Sequence, residues 1–211
     1  MITPDAATCR KCERLANFLD EVKSDNPDYF CRPVPSFGEP DAGLLIVGLA
    51  PGMHGANATG RPFTGDYAGE LLYQTLYKYG FSTAAQSLSA DDGLQLLNCR
   101  ITNAVRCLPP QNKPVGAEVN NCNDFLAQEL AALPPGGVII ALGTIAHKAV
   151  IRALGKKQKE YPFAHAACHE LDAGKQLLDS YHCSRYNTQT RRLTTEMFED
   201  VFRIVKELLG R

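Results

Sequence analysis

The stretch GLLIVGLAPGMHGANATGRPFTGDYAG, residues 43–69, decides how the chain is read. It opens on an apolar run, Gly43–Gly48, and then breaks into glycine and small residues. A short apolar run bounded by glycine reads as a strand buried on both faces. A glycine-rich turn after such a strand is where many α/β proteins cradle phosphate, but this one is neither GxxxxGKS/T nor GxGxxG. Working outward, Asn98–Ala104, Val138–Leu142 and Gln176–Tyr181 also read as strands. Ala68–Tyr79, Gly116–Leu133, Thr144–Leu154 and Thr194–Leu209 carry apolar residues at helical spacing, the last with Thr194 or Thr195 as cap. The alternation predicts a single α/β domain over residues 1–211, with a central, mostly parallel four-stranded sheet flanked by helices on both faces. Pro109–Pro114 and Gly155–Pro162 read as loops, and Ala84–Leu97 as an insertion without an assigned role. Ligands of such sheets bind beyond the carboxyl ends of the strands, so Leu49–Gly52, Asn103, Gly143 and His182 are expected to converge.

Composition narrows the class. A chain of 211 residues with 45% hydrophobic and 21% charged residues matches an ordinary soluble globular protein. The formal net charge of −1 argues against wholesale coating of nucleic acid. From Gly143 onward, however, 12 Lys and Arg stand against 8 Asp and Glu, which makes this third the expected face for a polyanion. No run of eighteen apolar residues is present, so no membrane span is expected, and the N-terminus lacks an apolar signal core. The expectation is a cytoplasmic, reducing compartment and a monomer.

Eight cysteines in such a compartment call for metal binding or burial rather than disulfides. Cys9 and Cys12 form a CxxC pair, and Cys107 and Cys122 a wider one. Four thiolates suit zinc or an iron–sulfur cluster, and the wide second spacing leans toward the bulkier group. Cys31, Cys99, Cys168 and Cys183 have no paired spacing and read as buried free thiols.

Taken together, Cys9-x2-Cys12, GLAPGMHGANATGRPFTGD (48–66), TNAVRCLPPQNKP (102–114) with Cys122, and SYHCSRYNTQTRRLT (180–194) resemble the family 5 (type b) uracil-DNA glycosylases over nearly the whole chain. The resemblance implies a parallel sheet flanked by helices. It also implies a 4Fe-4S cluster on Cys9, Cys12, Cys107 and Cys122, with zinc well behind. The activity it implies is hydrolysis of the N-glycosidic bond of uracil in DNA, leaving an abasic site. An apolar motif at Leu49 and Ala50 is compatible with hypoxanthine and other deaminated bases as well.

The same resemblance implies roles for single residues. Phe63 stacks on the flipped base, and the alternative is a core phenylalanine. Asn103 reads the uracil edge with one donor and one acceptor and supports catalysis, and the alternative is a turn-closing asparagine. His182 stabilises the departing anionic base. Asp66 positions water, or caps the helix that follows it. Gly48, Leu49, Ala50 and Gly52 line the base site, with Gly52, Gly55 and Gly60 keeping the approach clear of side chains. His54 and Asn57 could touch the DNA backbone. Ser184, Arg185, Asn187, Arg191 and Arg192 belong to a loop that wedges into the duplex and grips phosphate. Two departures stand out: Cys183 replaces a usual proline, and Arg191 a usual glycine. Two other readings stay open, a binder that traps uracil in DNA without turnover and a zinc-stabilised α/β scaffold.

Overall fold

The computed structural model describes residues 6–210. The first apolar run is strand β1 (Leu44–Gly48), followed by a short helix α2 (Ala56–Thr59) and helix α3 (Tyr67–Lys78). Helix α1 (Glu13–Asp25) precedes them. Then come β2 (Cys99–Asn103), α4 (Gly116–Ala132), β3 (Val138–Leu142) and α5 (Thr144–Ala153). The chain closes with β4 (Cys168–Glu170), β5 (Gln176–Ser180), α6 (Arg185–Gln189) and α7 (Thr195–Leu208). The sheet order is β2-β1-β3-β5-β4. The four expected strands pair in parallel, and β4 joins β5 antiparallel at the edge.

The sheet therefore has five strands rather than four. The extra strand is only Cys168, His169 and Glu170, of which Cys168 and Glu170 are exposed. It is held by ladder hydrogen bonds rather than by burial, so no apolar run announces it. Helix α1 was not expected either. It has charge on most of its surface and buries Leu15, Ala16, Leu19 and Val22 on one side.

Alternation along β1 divides the core. Leu44 and Ile46 face α3 and α7, through Leu72, Leu76, Phe198 and Phe202. Leu45 and Val47 face α4 and α5, through Leu126, Leu130, Ala149 and Val150. Every residue of β1, β2 and β3 is buried, as in a sheet covered on both faces. Thr194 caps α7, its Oγ1 accepting from the Met197 amide at 3.2 Å. The chain leaves β1 toward β2 on one side and later returns to β3 on the other. A crevice thus opens past the carboxyl ends of β1 and β3, where the winding reverses.

A segment outside the sheet links this crevice to the cysteines. Beyond β2, the Ala104 and Val105 amides donate to the Gly48 and Leu49 carbonyls, clipping residues 103–105 to the tip of β1. At the next residue, the Arg106 guanidinium donates to the Glu129 carboxylate of α4 at 2.7 Å, with both side chains buried. Arg100 of β2 binds the same carboxylate from the other side. A carboxylate held between two guanidiniums is costly to disturb, because removing it strands two buried cations. Among the described residues no helix is long and apolar enough to cross a membrane.

Candidate base-binding pocket and cysteine site

The crevice contains a cavity of about 400 Å³. Its walls bring together Leu49, Gly52, Phe63, Asp66, Asn103 and His182, residues up to 133 positions apart in sequence. Asn103 ends β2, Leu49 and Gly52 follow β1, and His182 lies two residues past β5 rather than on it.

Phe63 is held in an uncommon backbone conformation, φ 57°, which costs energy for a residue with a β-carbon. Its carbonyl packs so tightly on α3 that a Cβ at Gly69 would lie 1.8 Å from it. The result is a nearly buried ring stacked on the His182 imidazole, with centroids 6.0 Å apart and planes 27° from parallel. Gly48, expected to line the base site, is not among the residues lining the cavity; it lies behind them, against Asn103 and Phe63. A methyl there would come within 2.3 Å of Asn103 Oδ1 and 2.7 Å of Phe63 Cζ.

Two polar atoms of this pocket are buried without a hydrogen-bond partner among the described residues: Asn103 Oδ1 and His182 Nδ1. Buried polar atoms are nearly always satisfied, so two orphans in one cavity mark a place built for a polar ligand. Burial pulls His182 down to about 4, so its ring is neutral at neutral pH. The Asn187 side-chain amide donates to the His182 carbonyl at 2.8 Å and fixes the turn that presents the ring.

Asp66 stands at the N-cap position of α3, but its side chain makes no capping bond. It turns back toward residues 52–56 and accepts from the Ala56 amide at 3.2 Å. Burial pushes its carboxyl up, against amide hydrogen bonds from Ala56 and Gly52 that favour the charged form. A methyl on Gly52 or Gly55 would meet Asp66 Oδ1 at 2.2 or 1.9 Å. These two glycines cradle the carboxylate rather than clear a path for DNA. Gly60 also differs from the expectation, facing the Phe30 ring in a left-handed turn at φ 79°. Asn57 is fully buried and donates to the Cys31 sulfur, so it is withdrawn from any surface. His54 is exposed, its Nδ1 2.8 Å from the Tyr29 hydroxyl.

The loop after His182 contains helix α6. Arg185 is exposed at the pocket rim and packs over the Tyr67 ring at 5.6 Å. Ser184 also lines the cavity. Arg191 adopts φ 56°, the left-handed conformation that a glycine would take without strain. Arg192 lies over the Tyr181 ring at 4.7 Å. The small, apolar Cys183 is fully buried in the main core.

The four paired cysteines converge elsewhere, around one small cavity between the N-terminus of α1, the segment after β2, and α4. Cys107 and Cys122 are buried, and Cys9 and Cys12 partly so. Burial and the proximity of the other three sulfurs push the Cys107 thiol up to about 12. Cys12 is the N-cap residue of α1. Zinc–sulfur bonds of 2.3 Å put the sulfurs of a zinc tetrahedron about 3.8 Å apart. Among the described residues, no three of these sulfurs lie mutually within 4.8 Å. The four thiols share one cavity, a soft donor set of the kind that holds zinc or an iron–sulfur cluster. Of the unpaired cysteines, Cys31, Cys99 and Cys183 are buried as expected, whereas Cys168 is exposed on the edge strand.

Comparison with known proteins agrees with this geometry. The model of the uracil DNA glycosylase superfamily matches residues 35–206. A type-5 uracil-DNA glycosylase of Thermus thermophilus is 46% identical over 96% of this chain and 94% of its own. The Mycobacterium leprae and Pyrobaculum aerophilum proteins of the same name are 43% and 40% identical. They cover 97% and 92% of this chain and 93% and 86% of their own. The chain belongs to the type-5 uracil-DNA glycosylases. As in the expectation from sequence, this type-5 chain gathers Phe63, Asp66, Asn103 and His182 at one cavity. Sequence reading missed Tyr67, Asn112 and Ile145, which also line it. Asn112 carries a local signal, since asparagine tolerates the left-handed conformation it adopts at φ 56°. Tyr67 and Ile145 carry none, because a residue in the first turn of a helix reads the same whether it faces core, solvent or ligand.

Proposed function

We propose that this protein removes uracil from DNA by hydrolysing its N-glycosidic bond, leaving an abasic site. The single observation that carries the reading is the pair of orphaned polar atoms, Asn103 Oδ1 and His182 Nδ1, in the cavity that Phe63 walls. The target nucleotide leaves the duplex and its base stacks on Phe63, a contact worth roughly 1–3 kcal/mol. Asn103 accepts from uracil N3–H and donates to O4, a pattern that cytosine reverses. The C1′–N1 bond breaks through an oxocarbenium-like sugar, and negative charge collects on the base. A neutral His182 donates to the oxygen where that charge develops, without a proton having to be lost first. Water adds to C1′, guided by the Asp66 carboxylate in its cradle of glycines, and its proton leaves with the base. Leu49 and Ala50 offer no polar group at the pocket wall, which suits a base range wider than uracil. Ser184, Arg185 and Arg191 grip the flanking phosphates. The pocket is complete within one chain, so a monomer suffices.

Cys9, Cys12, Cys107 and Cys122 would hold a 4Fe-4S cluster. The group supplies cross-linking rather than electrons, since hydrolysis is not a redox step. The cysteines themselves bring the start of α1, α4 and the segment that follows Asn103 to one small cavity.

Single-turnover incubation with a uracil-containing duplex tests the reading. Free uracil and an alkali-labile abasic site are the expected products. A stable complex that never releases the base would show a trapping protein instead.

A further inference from the structure

A second constellation lies at the other edge of the sheet, apart from both the pocket and the cysteines. His147 of α5, His169 of β4 and Asp179 of β5 bring one donor atom each to within 4.8 Å of one another. Asp179 is fully buried, and His147 nearly so. His147 Nδ1 is 2.7 Å from Asp179 Oδ1, and its Nε2 is 2.8 Å from the Tyr161 carbonyl. Asp179 Oδ2 and His169 Nε2 stand 3.4 Å apart, yet both are buried without a hydrogen-bond partner among the described residues.

From this we infer that His147, His169 and Asp179 form a second metal site, taking one divalent transition-metal ion of which zinc is the best match. The Tyr161 carbonyl fixes a proton on Nε2 of His147, so Nδ1 presents its lone pair to the Asp179 carboxylate unless something positive lies between. A proton there would satisfy His147 and Oδ1 alone, leaving Oδ2 and His169 Nε2 facing each other at 3.4 Å without a formed hydrogen bond. A metal ion satisfies all three side chains. Zinc bonds of about 2.0–2.1 Å place neighbouring ligand atoms about 3.3–3.4 Å apart in a tetrahedron. That edge matches the Asp179–His169 separation, whereas His147 Nδ1, 2.7 Å from Oδ1, would have to draw back to admit the ion. Two imidazoles and a carboxylate are borderline-soft to hard donors, suited to zinc and not to a sulfur-rich cluster. The outer contacts fit as well. A metal-bound histidine characteristically donates its other N–H to a carbonyl or carboxylate, as His147 does to Tyr161. Aromatic rings enclose the site, Phe163 against His147 and Tyr161 against His169. On binding, the ion accepts the Nδ1 lone pair of His147, and a water completes the fourth position. The ion would pin α5, β4 and β5 together three residues before His182, so its role is structural.

The test is metal analysis of the chain with its iron content intact, after dialysis against chelator and addition of zinc or cobalt alone. Wild type is expected to hold one zinc per chain beyond any bound by cysteine. It should also show cobalt d–d bands without added sulfur-to-cobalt charge transfer. His169→Ala, at the most exposed of the three side chains, should lose that equivalent with unchanged iron content and circular dichroism. Cys168→Ser should keep it. Asp179→Asn should lose the equivalent too, and any variant that does not fold is set aside in favour of His169→Ala. No zinc beyond the cysteine-bound metal in wild type, or full retention in His169→Ala, would overturn the assignment.

Discussion

The two ends of one short segment, Asn103 and Cys107, belong to regions built on opposite principles. Asn103 ends a fully buried strand at one end of the sheet order, and its pocket needs nothing but the fold to be in place. Cys107 lies four residues on, among helix ends and loops, in a cluster of buried residues shared by α1, α4 and residues 105–108. The pocket stores its chemistry as unsatisfied atoms in a rigid frame. The cysteine region gathers four free thiols in a frame that a metal cluster would complete. The contrast teaches that activity and stability can be separated here, even though one stretch of chain serves both.

The largest effect should come from the pocket. Asn103→Ala and His182→Ala are each expected to slow single-turnover uracil release by about 100- to 1,000-fold, with little change in the Kd for duplex DNA. Equal losses in binding and release would mean that these side chains shape the protein rather than meet the transition state. Gly55→Ala comes next. Its methyl must push the Asp66 carboxylate aside, and a displacement of that size should slow release on the order of 10- to 100-fold. An unchanged rate would remove Asp66 from the account of water attack.

Cys107→Ser sharpens the comparison from the other side. It should lower iron content and thermal stability. Uracil release per folded molecule, measured well below the melting temperature, should fall by less than about tenfold, because the Gly48 and Leu49 carbonyls and Glu129 hold the segment independently. A loss as deep as that of Asn103→Ala would show that the cluster positions the pocket after all.

The smallest effect is in pH. The folded chain keeps His182 neutral down to about pH 4, while the unfolded chain protonates it near 6.5. Between those values the unfolded state binds the extra proton, so stability rises with pH through this window and loses the His182 contribution to the slope above it. His182→Asn should flatten that part of the stability profile measured by denaturant unfolding. An identical slope in the variant would show that His182 is open to water in the free protein.

How much of this could be read in the sequence depends on what holds each part. β1, β3 and β5 were legible because strands covered on both faces must be apolar, and their lengths fit. β4 was not, because three residues at a sheet edge are stabilised by pairing with β5, which no local pattern encodes. The pocket was legible to the extent that its residues stand at strand ends, as Asn103 does, or within a recognisable motif, as Phe63 and His182 do. Asp66 was half legible. Its position is that of a cap, but the glycines at 52 and 55 give its carboxylate a better place, and only the folded loop brings them together. The His147, His169 and Asp179 group was invisible for the same reason, since three elements and an edge pairing are needed to assemble it.

The central claim is that one everted uracil lies between Phe63, Asn103 and His182. It is tested most directly by the crystal structure of His182→Ala with a duplex containing a single uracil. The expected result is the base stacked on Phe63, with N3–H within hydrogen-bonding distance of Asn103 Oδ1 and C1′ facing Asp66. A uracil left in the duplex or seated in any other cavity would contradict the claim.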